Sequence, residues 1–254
     1  MSELWLSSIG LGTYLGETDT ASDVSYTQSI LQALRSGINV LDTAINYRHQ
    51  RSERNIGSAI KQLIEAGELQ REEVLVCTKA GYLPFDSELP ADQRDYLRKE
   101  YVETGVAPTG EIAGGMHCMA PRYLGDQLER SQRNTGLQTL DVFYLHNPES
   151  QLGYVTPDVF RDRLRSAFRW AEDAVDDGKI RWYGIATWNG LRVAPGTEDL
   201  PVLWSVPCLP VWYFSIISVS ACNLTAPSIA DAGFDAFYFA GGIAFLWRIH
   251  SRTW

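Results

Sequence analysis

The sequence predicts an α/β fold of the (β/α)8, TIM-barrel type, incomplete toward its C-terminal end. Three observations lead there. Apolar strand-like runs alternate with amphipathic helical segments five times by residue 187, which implies a parallel sheet covered by helices. No GxGxxG turn follows any of those runs, so a doubly wound dinucleotide fold lacks its most specific mark. Three of the runs end in polar groups, Asp42, Lys79 and His146, at the strand ends where barrels keep their chemistry.

Residues 8–14 read as a first strand ending in a turn, with Gly10 and Gly12 leaving room for a ligand against the backbone. Asp23 or Ser25 offers a cap for a helix over 26–36, with Ile30, Leu31 and Leu34 facing inward and Gly37 ending it. Residues 38–42 form a short apolar run that stops at Asp42, the pattern of a strand buried on both faces. A turn follows, and Tyr47 stands five residues beyond the acid. The next helix begins at Ser52, presents Ile56, Ile60, Leu63 and Ile64 to the core, and closes at Gly67. Residues 73–80 give the third strand, ending in Lys79.

Residues 81–121 break the rhythm. Prolines and glycines surround a charged segment, 92–103, that reads as one polar helix. A long irregular insertion of this kind is a binding loop, a lid or a disordered segment. His117 and Cys118 lie in it without the spacing of a metal site, and none is expected. A helix over 121–134 turns Leu124, Leu128 and Ser131 inward, and Gly136 follows it. The fourth strand, 140–146, ends in His146 before Asn147-Pro148. A long helix over 157–177 carries Phe160, Leu164, Phe168, Ala171 and Val175 in register until Gly178. Residues 180–187 are the fifth strand, closing on Thr187.

Composition bounds the partners. The chain has 254 residues and is 45% hydrophobic, enough for one sizeable core. A formal net charge of −9 argues against nucleic acid or an anionic membrane as the main partner. The four cysteines are scattered, as in a protein of a reducing compartment. The first residues lack a basic start and apolar stretch, so a cytoplasmic location is expected. Oligomeric state is not written in the sequence.

Asp42-Thr43-Ala44-Ile45-Asn46-Tyr47, followed by Ser52-Glu53 and Ile56-Gly57, resembles the signature of the aldo-keto reductases. Thr78-Lys79, Leu145-His146-Asn147-Pro148 and the run from Gly178 to Ile185 resemble that family's later landmarks, in order. The resemblance runs from about Ile9 to about Asn189. It implies a barrel that reduces an aldehyde or ketone with NADPH, and a catalytic tetrad of Asp42, Tyr47, Lys79 and His146. Tyr47 would protonate the carbonyl oxygen, with Lys79 lowering its pKa, Asp42 holding Lys79, and His146 orienting the carbonyl. Thr13 and Tyr14 would line the cofactor or substrate pocket, and Thr13, Asp42 and Thr187 would meet the cofactor. The family commonly has Ser-Asn where this chain has Ala186-Thr187, so Thr187 alone keeps a side chain able to hold the nicotinamide amide.

The text changes after Asn189. Residues 200–230 carry no Lys, His, Arg or Glu after position 200 and no Asp, and four prolines interrupt them. After Thr187 there remain 254 − 187 = 67 residues, where three further units of about 30 residues each would need about 90. Two parts are therefore expected: 1–190 as the barrel portion and 191–254 as a divergent apolar tail. The family's Lys/Arg-rich phosphate loops have no counterpart in that tail, where only Arg248 and Arg252 are Lys or Arg after Arg192. A membrane segment over 203–224, a shortened barrel, and a tail from outside the family's reading frame compete to explain it, the last being favoured. The alternative to an enzyme is a barrel-derived binding or regulatory protein, or an inactive truncated product.

Overall fold

The computed structural model describes residues 5–188 and, beyond them, the backbone of three strands at 212–217, 235–236 and 243–248. Five strands run parallel in chain order: β1 (Leu11–Gly12), β2 (Val40–Asp42), β3 (Leu75–Ala80), β4 (Leu140–His146) and β5 (Ile180–Thr187). Between them lie α1 (Thr20–Arg35), α2 (Arg51–Glu65), the short α3 (Gln93–Leu97), α4 (Pro121–Thr135) and α5 (Pro157–Asp176). The expected α/β class, with its parallel sheet and helices between strands, is what the chain adopts.

β2, β3 and β4 are buried along their whole length, because one face meets helices and the other meets the barrel interior. On the helix side Leu41, Val76, Phe143 and Leu145 pack with Ile30, Ile56, Leu124 and Phe160. Each such side chain contributes about 1.5–3 kcal/mol by leaving water. On the inner side Val40, Leu75, Cys77, Val142 and Tyr144 form a smaller cluster. α2 and α4 approach closely at Gly57, where a Cβ would stand 2.6 Å from the Thr135 carbonyl oxygen.

Several boundaries differ from expectation, each for a visible reason. β1 keeps only two residues, since its sole strand neighbour, β2, offers a short ladder. α1 starts earlier than expected, capped by Asp19, whose carboxylate accepts from the Ser22 N–H. Asp23, the cap expected from the sequence, instead pairs with Arg48 at 2.8 Å and Arg51 at 2.5 Å. Ile64 is exposed, so the inner face of α2 is Ile56, Ile60 and Leu63. The segment over 92–103 is α3 followed by a wider helical turn, Arg98–Glu103, and it is not wholly polar: Tyr101 is fully buried.

Three further strands, β6 (Trp212–Ile217), β7 (Asp235–Ala236) and β8 (Ile243–Arg248), extend the sheet in the order β1-β2-β3-β4-β5-β8-β6-β7. β8 runs antiparallel to β5 and to β6. A closed (β/α)8 barrel is parallel throughout, whereas antiparallel neighbours need no crossover helix and so use fewer residues. Among the described residues β1 and β7 are the two sheet edges and do not pair. No helix among the described residues is long and apolar enough to cross a membrane. Most of the 203–224 stretch, and most of the 191–254 tail where phosphate loops are missed, lie outside those residues.

Candidate active site

The apolar runs that build β2, β3 and β4 carry their terminal polar residues to one mouth of the sheet. Register places Asp42 opposite Cys77, and Lys79 opposite Tyr144, so Asp42, Lys79 and His146 lie at the carboxyl ends of three adjacent strands. Lys79 Nζ donates to Asp42 Oδ1 at 2.7 Å, to the Thr43 carbonyl at 2.8 Å and to the Tyr47 hydroxyl at 3.2 Å. All three ammonium protons are thereby committed. The His146 ring stands edge-on to Tyr47, with centroids 5.7 Å apart. The four residues named from the sequence are brought together.

Burial sets their protonation. It opposes the charge on Lys79, but Asp42 and Tyr47 outweigh it and raise the lysine pKa, so Lys79 is an ammonium. Burial raises the Asp42 carboxyl, and Lys79 pulls it back. Burial also pushes the Tyr47 phenol above its ordinary value. Lys79 acts in the expected downward direction on Tyr47 but does not prevail, because burial outweighs it and the Asp42 carboxylate adds to the rise. His146 is held well below the usual imidazole range by burial, then by Lys79 and His117, and is neutral.

Supports come from further out in the sequence. Ser52 Oγ donates to the Thr13 carbonyl at 2.7 Å, tying α2 to the turn after β1. The buried Glu53 accepts from Thr78 Oγ1 at 2.6 Å and from Asn134 Nδ2 at 2.8 Å, fixing α2 against β3 and α4. The turn after Tyr47 is strained: Arg48, His49 and Gln50 have φ of 48°, 54° and 71°, a left-handed conformation that costs non-glycine residues about 1–3 kcal/mol each. Side chains hold it. Arg48 donates to the Glu17 carbonyl, Asn55 and Asp23, and lies over the Tyr26 ring at 4.8 Å. Gln50 donates to the Phe85 carbonyl at 3.0 Å.

Asn46, Tyr82 and His117 also converge here and were not anticipated as site residues. His146 Nδ1 lies 3.2 Å from Asn46 Oδ1. A side-chain amide accepts at oxygen or donates at nitrogen according to its rotamer, so Asn46 decides which imidazole nitrogen carries the proton. The Tyr82 ring stands edge-on to His146 at 5.3 Å and to His117 at 5.1 Å. Behind it runs a one-way chain of donors. Arg163 donates to Gln151 Oε1 at 2.9 Å, Gln151 Nε2 donates to His117 Nδ1 at 3.0 Å, and His117 Nε2 donates to the His146 carbonyl at 2.8 Å. Burial lowers the His117 pKa to about 4, which keeps the ring neutral for that role. No spacing in the sequence marks these residues, since His117 lies 29 positions from His146, and Asn46 lies 100 positions from it.

Of the residues expected at a cofactor, Thr13 is fully buried and its hydroxyl donates to the Asp42 carbonyl at 3.1 Å, so it braces the turn that presents Asp42. Tyr14 is exposed and packs edge-on to Tyr47 at 4.9 Å. Thr187 is buried at the end of β5, next in the sheet to His146 and Ala186. Asp42 Oδ2 and Thr43 Oγ1 are buried without hydrogen-bond partners among the described residues. Unpaired acceptors and hydroxyls beside the lysine suit the hydroxyl-rich, amide-bearing end of a nicotinamide riboside.

Comparison with known proteins gives the family and the fold. A model of the Aldo/keto reductase family matches residues 8–198. The chain is 36% identical over 193 residues to the NADH-specific methylglyoxal reductase of Escherichia coli, covering 73% of this chain and 49% of that protein. It is 28% identical over 193 residues to a putative voltage-gated potassium channel subunit beta of Schizosaccharomyces pombe, covering 76% of this chain and 45% of that protein. The chain thus spans about half the length of these curated relatives. Among solved structures, a Bombyx mori aldo-keto reductase in complex with NADP superposes with a TM-score of 0.55 at 20% identity, covering 91% of this chain and 62% of that one.

Proposed function

The chain belongs to the aldo/keto reductase family, and from that premise we propose that it reduces the carbonyl of a small aldehyde or ketone to an alcohol, using NADPH. The observation that carries this reading is the lysine bridge: one buried ammonium joins Asp42 to the hydroxyl of Tyr47 beside a neutral His146.

The bound dihydronicotinamide supplies the hydride. The chain's residues handle the charge that then develops on the carbonyl oxygen. Tyr47 gives its phenolic proton to that oxygen, and Lys79 stabilises the phenolate left behind. Asp42 keeps Lys79 aimed through a short ion pair. The Asn46 oxygen faces His146 Nδ1 at 3.2 Å; turning the amide so that its nitrogen donates to Nδ1 would leave His146 Nε2–H to donate to the same carbonyl oxygen and orient it. In this reading Asp42 Oδ2, Thr43 and Thr187 would hold the nicotinamide end of the cofactor.

The test is fluorescence titration of the purified chain with NADPH and, separately, NADH, followed by turnover of a generic aromatic aldehyde. Saturable binding and aldehyde-dependent cofactor oxidation are expected. Absence of binding at millimolar cofactor would remove the enzymatic reading. A regulatory or binding role is the second reading, favoured by similarity to the potassium channel beta subunit. Tyr47→Phe separates the two, since it removes reduction and leaves binding to a partner protein intact.

A further inference from the structure

The insertion between β3 and α4, with Asn46 and His49 of the turn after β2, lines an open cavity of about 760 Å³. Its inner end is the catalytic mouth: Asn46 and Tyr82 line it, and both touch His146. Its walls are apolar, with Leu83, Phe85, Leu97, Ile112 and Met116. Two arginines, Arg94 and Arg98, line it and no carboxylate does, although the chain as a whole carries a net charge of −9. Arg98 is spent on Asp95 and Glu103. The Arg94 guanidinium has no ion pair or hydrogen bond among the described residues and is the cation left for a ligand.

We propose that this cavity receives the body of a carbonyl substrate that is apolar or aromatic and bears a carboxylate, with Arg94 as its counter-charge. The inference rests on the catalytic reading and adds the substrate class to it. A volume near 760 Å³ is that of a pocket for a drug-sized molecule. A three-carbon carbonyl would leave most of it to water. Apolar walls favour transfer of a ring or chain out of water, while a lone guanidinium at the wall discriminates an acid from its neutral ester.

The experiment compares 4-formylcinnamic acid with its methyl ester, using the full chain and NADPH. The acid is expected to exceed the ester in kcat/KM by about twofold to fivefold, the range for one exposed ion pair. Arg94→Gln should raise KM for the acid to that of the ester and leave kcat and ester turnover unchanged. Arg94→Lys should keep part of the preference. Arg94 is exposed, so melting curves of the variants should match the parent and exclude misfolding. Equal turnover of acid and ester, unmoved by Arg94→Gln, would overturn the substrate assignment and leave the catalytic reading standing. Turnover of neither aldehyde, with calorimetry still showing Arg94-dependent binding of the acid, would support the cavity assignment and count against catalysis.

Discussion

Two walls face each other across the catalytic mouth, and they are built on different principles. The strand wall presents Asp42, Lys79 and His146 from three adjacent, wholly buried strands, and the sheet ladder fixes their spacing. The loop wall presents Tyr82, Phe85 and His117 from the 81–121 insertion, which isolated backbone bridges (Tyr82 and Ala113 with His117) and side-chain contacts hold in place of a continuous ladder. His49 packs edge-on to Phe85 at 5.5 Å, Gln50 bonds the Phe85 carbonyl, and His117 bonds the His146 carbonyl. The difference assigns labour. On the proposed function, proton transfer would belong to the rigid wall, and substrate fit to the wall that loop changes can reshape without disturbing the sheet.

The sharpest break in that comparison is Tyr47→Phe. The hydroxyl's protein partner is Lys79 Nζ, so its loss should lower kcat by about 1,000-fold or more while the melting temperature moves by no more than a few degrees. Stopped-flow and steady-state reduction of an aromatic aldehyde, with a thermal melt beside them, would show it. A variant that retains a tenth of the parent rate would move the proton donor elsewhere.

That wall was also the legible one. Apolar runs broken by a terminal Asp, Lys or His announce both the strand and the place where it ends, and Ser52-Glu53 is explained by its bonds to Thr13 and Thr78. The loop wall was not legible, because its bonds join distant residues with no shared period. The N-terminus of α1 failed for a related reason: Asp23 has the chemistry of a cap but is drawn off by two arginines from the turn beyond Tyr47. The strand Trp212–Ile217 was missed because a uniformly apolar stretch offers no alternation to read.

The loop wall should fail first on acidification. His117 is neutral in the fold, with a pKa of about 4, against 6.5 when unfolded. Between those values the unfolded chain binds the extra proton, so this contribution to stability is complete above pH 6.5 and falls away as pH drops toward 4. The loss amounts to about 3 kcal/mol across the window. Urea melts at stepped pH should show it, and His117→Gln should flatten the slope. An unchanged slope would place the acid sensitivity with His146, which is depressed in the same sense.

Gly81→Ala tests where the walls join. A Cβ there would stand 2.6 Å from His117 Nε2 and 2.6 Å from the His146 carbonyl oxygen, between the two atoms of that hydrogen bond. Wedging them apart should cost about 2 kcal/mol by overpacking and lower the melting temperature accordingly. Activity should suffer less than stability, since Lys79 and Tyr47 lie on the strand side. A variant as stable as the parent would show that the loop yields freely and that the clasp does little.

The smallest expected effect concerns the one residue that belongs to both walls. Asn46 lines the loop cavity and touches His146 Nδ1. A neutral imidazole has one proton to place, and only the form protonated on Nε2 can donate to a substrate oxygen. Asn46→Leu removes the partner of Nδ1 and leaves the two tautomers unsorted, for a loss of about tenfold in kcat/KM. Asn46→Asp offers Nδ1 an acceptor alone, which strips Nε2 of its proton at neutral pH and yet raises the imidazole pKa. Its activity should therefore recover as pH falls and the ring gains its second proton, while the Leu variant shows no such recovery. Ring-nitrogen NMR shifts of His146 report the tautomer directly. If Asn46→Asp follows the parent's pH profile, the amide does not sort the tautomer, and orientation of His146 belongs to the strand wall alone.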